Sequence, residues 1–191
     1  MSFTRSSPGK TPAPDPPASL HGVLLNVHGI GVVLTGPSGI GKSETALNLL
    51  SRGHRLVADD LVLIRRGAGG QPVGEAPASG RGLLEVRGLG ILRVQEVFGP
   101  SAVQSRIPVA LVVELTRDAV ETDPGRPAAQ AVRLGVWELP GFRIPVHPGR
   151  NVALLVEVAA RCHLRRARGR VPPARRPDRS PQARSATGGV S

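Results

Sequence analysis

Gly31-Val32-Val33-Leu34-Thr35-Gly36-Pro37-Ser38-Gly39-Ile40-Gly41-Lys42-Ser43 runs from an aliphatic segment into an octet that fits the pattern G-x-x-x-x-G-K-[ST]. Each fixed position of that pattern has a physical reason. Glycines let the backbone turn so that successive N–H groups point at one anion. A helix that starts on the loop adds its positive N-terminal end. Lys42 is placed to neutralise β- and γ-phosphates, and the Ser43 hydroxyl to ligate Mg²⁺. The context matches as well. Residues 31–35 read as a buried strand, and residues 41–52 read as a helix whose apolar face carries Thr45, Ala46, Leu47, Leu49 and Leu50. Gly53 stands where a helix C-cap is expected. Residues 36–43 (Gly36, Pro37, Ser38, Gly39, Ile40, Gly41, Lys42 and Ser43) are the expected nucleotide-binding loop, in an α/β domain.

Working outward, residues 23–27 and 31–35 predict a hairpin or two neighbouring strands around His28-Gly29-Ile30. Residues 55–57 and 61–64 predict strands flanking Ala58-Asp59-Asp60. Residues 67–82, rich in Gly and Pro, predict a loop. Residues 83–86 and 91–94 bracket Arg87-Gly88-Leu89-Gly90. Residues 109–115 predict a buried strand, residues 116–130 a polar loop, and residues 143–146 a strand followed by the turn His147-Pro148-Gly149-Arg150. Residues 152–161 fit a strand or a helix, and periodicity does not decide between them.

Asp59 and Asp60 follow Leu56-Val57-Ala58 at a strand end, where a carboxylate can hold Mg²⁺ or accept a proton from an attacking hydroxyl. Neighbours on a strand point to opposite faces, so only one of the two is expected to face the phosphate loop. Asp is also common in solvated turns. Glu85, inside an apolar strand, must be exposed, paired or metal-bound. His21 could contact phosphate or be an ordinary surface residue. The turn at residues 145–150 could clamp phosphate with Arg150 or simply reverse the chain.

A chain of 191 residues has room for one domain with a full core. Aromatics are confined to Phe3, Phe98, Phe142 and Trp137, so the core is expected to be aliphatic, and a base-stacking binder of single strands is disfavoured. With Cys162 as the single cysteine, neither an intrachain disulfide nor a cysteine-rich zinc site can form. No apolar run resembles a signal peptide or reaches the ~20 residues of a membrane span, which predicts a soluble cytoplasmic protein. Of the net +11, +8 lies from Arg161 onward, so the basic character belongs to the tail and reads as solvation rather than nucleic-acid binding. Residues 1–18 and 165–191, rich in Pro with Ser or Arg, predict disordered tails around a folded segment at 19–164.

The motifs occur in an order that resembles one family. His21-Gly22-Val23, then GPSGIGKSE (36–44), RGHRLVADD (52–60), EVRGLGILRVQEVFG (85–99) and IPVHPGRN (144–151) are similar to the C-terminal catalytic domain of HPr kinase/phosphorylase, over most of residues 19–161. The resemblance implies a P-loop domain related to phosphoenolpyruvate carboxykinase and a homohexamer. It implies that ATP or pyrophosphate, with Mg²⁺, phosphorylates a serine of the phosphocarrier HPr, and that inorganic phosphate reverses the reaction. By the same resemblance Asp60 is the acid/base, His21 contacts phosphate, and Glu85 joins Ser43 on Mg²⁺. Residues 84–93 then serve both directions, and the loop Pro145, Val146, His147, Pro148, Gly149 and Arg150 serves dephosphorylation. The family's further catalytic arginine falls on Arg133, in Arg133-Leu134-Gly135. That position is closer to the 145–150 loop than family spacing suggests, which implies a deletion between them. Arg126 keeps the spacing better but copies the motif poorly. Several departures stand out. No counterpart of the family's N-terminal regulatory domain is found. Pro37 stands where Asp is common, and His147 where Arg is common. The residues after Arg161 do not resemble the family's closing helix. Two rival readings share the loop: a small-molecule kinase or NTPase, and a non-enzymatic nucleotide-dependent sensor with a basic nucleic-acid-binding tail.

Overall fold

The computed structural model describes residues 18–119 and 129–169. Residues 1–17 of the expected leader, Arg126, and residues 170–191 of the expected tail lie outside the described residues. Strands run β1 Ala18–His21, β2 Val23–Val27, β3 Ile30–Thr35, then helix α1 Lys42–Ser51, β4 Arg55–Ala58, β5 Leu61–Arg66, β6 Pro72–Glu75, β7 Leu83–Val86 and β8 Gly90–Arg93. Helix α2 Val94–Phe98, β9 Arg106–Thr116, β10 Ala129–Leu134, β11 Trp137–Pro145 and helix α3 Val152–Ala167 follow.

The expected hairpin around His28-Gly29 is present. β2 and β3 pair antiparallel with Val27 opposite Ile30, and the two turn residues have φ 53 and 89. Both being left-handed matches the turn to the natural twist of the strands, and the Asn26 carboxamide accepts the Gly29 N–H at 2.9 Å. β3 then pairs parallel with β9, β9 parallel with β11, and β2 antiparallel with β4. β3, β4, β9 and β11 therefore all point the same way. Their C-terminal ends, together with the start of β2, form one edge of a nine-stranded sheet. Such an edge is where open α/β sheets collect ligand-binding loops.

α1 and α3 cover one face. Ala46, Leu49 and Leu50 from α1 and Val152, Ala153, Val156, Ala159 and Ala160 from α3 bury against Leu25, Val32, Leu34, Leu111, Val113 and Leu115. The other face is closed by the sheet curling on itself: Leu24, Val33 and Val57 pack on Val62 and Ile64 of β5 and on Leu134 of β10. The core is aliphatic, as expected, with Trp137 at its border, where its indole N–H donates to the Gly70 carbonyl at 2.9 Å.

Several expectations are corrected. Ala18, assigned to the leader, begins β1. The 67–82 loop contains β6, which pairs with β5 and β9. Gly74 is what admits that strand: a Cβ there would run into the Leu24 side chain and stand 3.1 Å from Val109 Cγ2. The strand expected at 143–146 is the end of β11, which begins at Trp137 and forms a hairpin with β10. The open segment 152–161 is a helix that runs on to Ala167, past the expected boundary at Leu164. Asn151 decides its start by accepting the Leu154 N–H at 3.0 Å. Ala, Leu and Arg are good helix formers, and Arg165 and Arg166 in its last turn suit the negative helix end.

Candidate active site

The loop expected from the sequence leaves β3 at Thr35 and enters α1 at Lys42. Gly36 has φ 133, and a Cβ there would collide with the Leu115 carbonyl of β9, so this close passage requires glycine. Lys42 Nζ folds back to donate to the Gly36 carbonyl at 2.9 Å and to the Pro37 carbonyl at 3.1 Å. Above the loop lies a cavity of about 400 Å³ lined by His21, Lys42, Ser43, Asp59, Asp60 and Glu85, together with Arg87 and Glu44.

The adjacent aspartates both reach this cavity, which corrects the expectation that only one would. β4 ends at Ala58, so strand alternation no longer governs them, and Asp60 takes a left-handed φ of 64. Their roles separate nonetheless. Asp59 is the anchoring member: its carboxylate Oδ2 accepts the Glu85 N–H at 2.9 Å, which ties β7 to the end of β4. Burial pushes the Asp59 carboxyl up from its ordinary value, partly offset by the N–H groups of Glu85 and Asp60 that it accepts. Asp60 is open, with its side chain 81% exposed and Oδ1 3.4 Å from His21 Nδ1. The pairing follows from topology, because β1 ends at His21 and the Gly22 N–H donates to the Asp60 carbonyl at 3.0 Å.

Oxygen donors line the cavity: the Ser43 hydroxyl and the carboxylates of Asp59, Asp60 and Glu85. A hard cation such as Mg²⁺ suits that donor set. The three acids do not converge as a ready-made cage, as expected for an ion that takes one or two carboxylates and completes its shell with water and substrate phosphates. Among the described residues, three metal-capable side chains converge only at His28, His54 and Glu157, on the far edge of the sheet. Both Glu157 oxygens are already engaged there, by Arg52 at 2.9 and 2.6 Å and by His54 at 2.8 Å, so the cluster reads as structural.

The remaining expected site residues stand apart from the cavity. Arg133 is exposed on β10, opposite Glu138. The loop at 145–150 leaves β11 at the same sheet edge as the phosphate loop, where the Val146 N–H donates to the Thr116 carbonyl at 2.8 Å and the Arg150 N–H to the His147 carbonyl at 3.1 Å. None of its residues lines the cavity. Nearby, Arg143 forms ion pairs with Glu114 at 3.2 Å and Asp118 at 3.7 Å. Sequence reasoning missed Arg87 as an individual site residue. Its place in the turn after β7, two residues beyond Glu85, brings it to the same cavity, and the sequence held only the charge itself as a signal.

A strand, a phosphate loop, a helix and strand-end carboxylates in this arrangement define an α/β P-loop domain. The profile of the HPr serine kinase C-terminal domain matches residues 15–176. The HPr kinase/phosphorylase of Geobacillus kaustophilus is 48% identical over 147 residues, covering 76% of this chain and 47% of that protein. That of Bacillus subtilis is 46% identical over the same length and the same shares. The structure of the Hpr(Ser) kinase/phosphatase from Coxiella burnetii superposes with a TM-score of 0.75 at 33% identity, covering 79% of this chain and 93% of that one. The chain belongs to the HPr serine kinase C-terminal domain family, and it spans about half the length of the curated relatives it matches.

Proposed function

We propose that this chain carries the catalytic part of a bifunctional HPr serine kinase and phosphorylase, with ATP or pyrophosphate as donor. The observation that supports it best is the His21–Asp60 pair, 3.4 Å apart and open to solvent at the mouth of the P-loop cavity. An exposed carboxylate beside the phosphate loop suits a hydroxyl delivered by a large partner better than one on an enclosed small molecule.

In the forward direction the serine hydroxyl attacks the γ-phosphorus. Its oxygen–phosphorus bond forms as the bond to the β-phosphate bridging oxygen breaks, and the serine proton passes to Asp60. His21, 3.4 Å from that carboxylate, keeps the phosphate-contacting role that the resemblance gives it. The loop N–H groups and Lys42 neutralise the charge that accumulates on the leaving phosphate. Mg²⁺, held by Ser43 and Glu85, supplies further neutralisation when bound. In reverse, inorganic phosphate attacks the phosphoserine phosphorus, pyrophosphate forms, and Asp60 returns the proton to the serine oxygen. Arg133 and the 145–150 loop keep the roles that the resemblance gives them, and assembly into a homo-oligomer belongs to the same reading.

Purified chain with Mg-ATP and HPr is expected to form phosphoserine on HPr. ATP binding without any transfer to HPr would overturn this reading and favour a small-molecule kinase or NTPase.

A further inference from the structure

Arg87 is left over once the residues above have roles. It lies just past β7, exposed at the rim of the cavity, and among the described residues it forms no ion pair or hydrogen bond through its side chain. An unpaired cation beside several carboxylates calls for an explanation, since Glu85, two residues away, does not neutralise it.

The position of its guanidinium supplies one. A Cβ on Gly39 would stand 3.3 Å from Arg87 Nη2 and 3.7 Å from Nη1, so the planar fork lies over the middle of the phosphate loop. Gly39 itself has φ 72, and its lack of a side chain leaves the gap that the guanidinium occupies. Lys42, by contrast, is drawn back to the beginning of the loop, against the carbonyls of Gly36 and Pro37. The two cations thus approach the loop at different places. The Asp59 carboxylate fixes the hairpin that carries Arg87 through the Glu85 N–H.

We propose that Arg87 is a substrate-binding residue that grips the outermost phosphoryl group of the nucleotide, while the loop N–H groups and Lys42 hold the inner ones. A guanidinium fork suits this task because it offers two parallel donors to two phosphate oxygens. The proposal deepens the kinase reading and rests on it.

The test is equilibrium binding of ATP and of ADP to the full chain at fixed Mg²⁺, with melting temperature as a check on folding. Arg87→Ala is expected to weaken ATP by at least about tenfold and ADP by less than about twofold, since a charge-assisted bidentate contact is lost only where the third phosphate is present. Arg87→Lys is expected to recover part of the loss, because the charge returns without the fork. Unchanged ATP affinity in Arg87→Ala would overturn the proposal, and so would equal weakening of ATP and ADP. These measurements need no acceptor protein. If the ATP-versus-ADP contrast holds while no phosphoserine forms on HPr, the assignment of Arg87 stands and the choice of acceptor falls. If the unmodified chain binds no ATP, both fall.

Discussion

At the scale of single residues, the site divides labour between two neighbouring aspartates that differ in what they touch. Asp60 is exposed beside His21, whereas Asp59 is spent on holding a backbone N–H of Glu85. Asp60→Asn keeps shape and removes proton acceptance. Phosphotransfer is expected to fall by roughly 10²–10⁴-fold with ATP affinity within a factor of about two, measured by phosphoserine formation and nucleotide titration. Lys42→Ala is expected instead to weaken ATP itself, by about tenfold or more, because the charge that neutralises phosphate is gone; equal ATP affinity would contradict the loop's role. The loop was legible in sequence because its chemistry is local: glycines, a lysine and a hydroxyl at fixed spacing. The convergence of both aspartates on the cavity was not, since it depends on Asp60 adopting φ 64 in a turn that strand alternation does not describe.

At the scale of elements, α3 is fastened to the rest of the domain by a charged latch. Glu157, 6% exposed, accepts both a bidentate contact from Arg52 at the end of α1 and a hydrogen bond from buried His54 ahead of β4. Arg52, then His54, hold the Glu157 carboxyl down to about 2 against the opposing effect of burial. A depressed carboxyl contributes stability above its unfolded value near 4.5 and loses it as pH falls toward 2. His28, beside the same latch, is lowered by burial and then by His54 and Arg161, against the smaller raising effect of Glu157. The folded state therefore favours its neutral form, and that contribution begins to fade as pH drops below 6.5. The melting temperature is expected to decline in acid, beginning below pH 6.5 and steepening below pH 4.5. His28→Asn, which also tolerates the left-handed turn, should flatten the first part, and a titration of melting temperature against pH would show it. Glu157→Gln should lower the melting temperature near neutrality and weaken the steep part, since the carboxylate that Arg52 and His54 engage is gone. This element also marks where the sequence stops informing. Apolar periodicity over residues 152–161 fits either element type, and tertiary burial of Val152, Val156 and Ala160 against the sheet settles it. β6 was hidden for a related reason: Pro72 and Gly74 look like loop residues, yet Gly74 is needed where the curled sheet presses Leu24 against it.

At the scale of the whole molecule, the boundaries drawn from composition shift by a few residues but matter for experiments. A cut after Leu164 would remove the last turn of α3, while a cut after Gly169 leaves the helix intact. Removing residues 170–191 is expected to leave the melting temperature and ATP affinity of the domain within measurement error. Removing α3 as well should prevent folding, because Val152, Ala153, Val156, Ala159 and Ala160 would leave the sheet uncovered. Circular dichroism and thermal melting of the two truncations decide between these. The overall class was readable because strand, loop and helix are contiguous. The sheet order was not, because one of the two strands that flank the phosphate-binding strand comes from far along the chain: β3 sits between β2, its neighbour in sequence, and β9. That interleaving has a consequence for the newly made chain. The carbonyl of Leu115 is the wall against which Gly36 turns, so a ribosome that has already synthesised the entire phosphate loop still holds a polypeptide unable to complete it. Until β9 emerges and pairs with β3, the outer edge of the β2–β3 hairpin stays unpaired, and this interval is when the nascent domain most needs protection from aggregation.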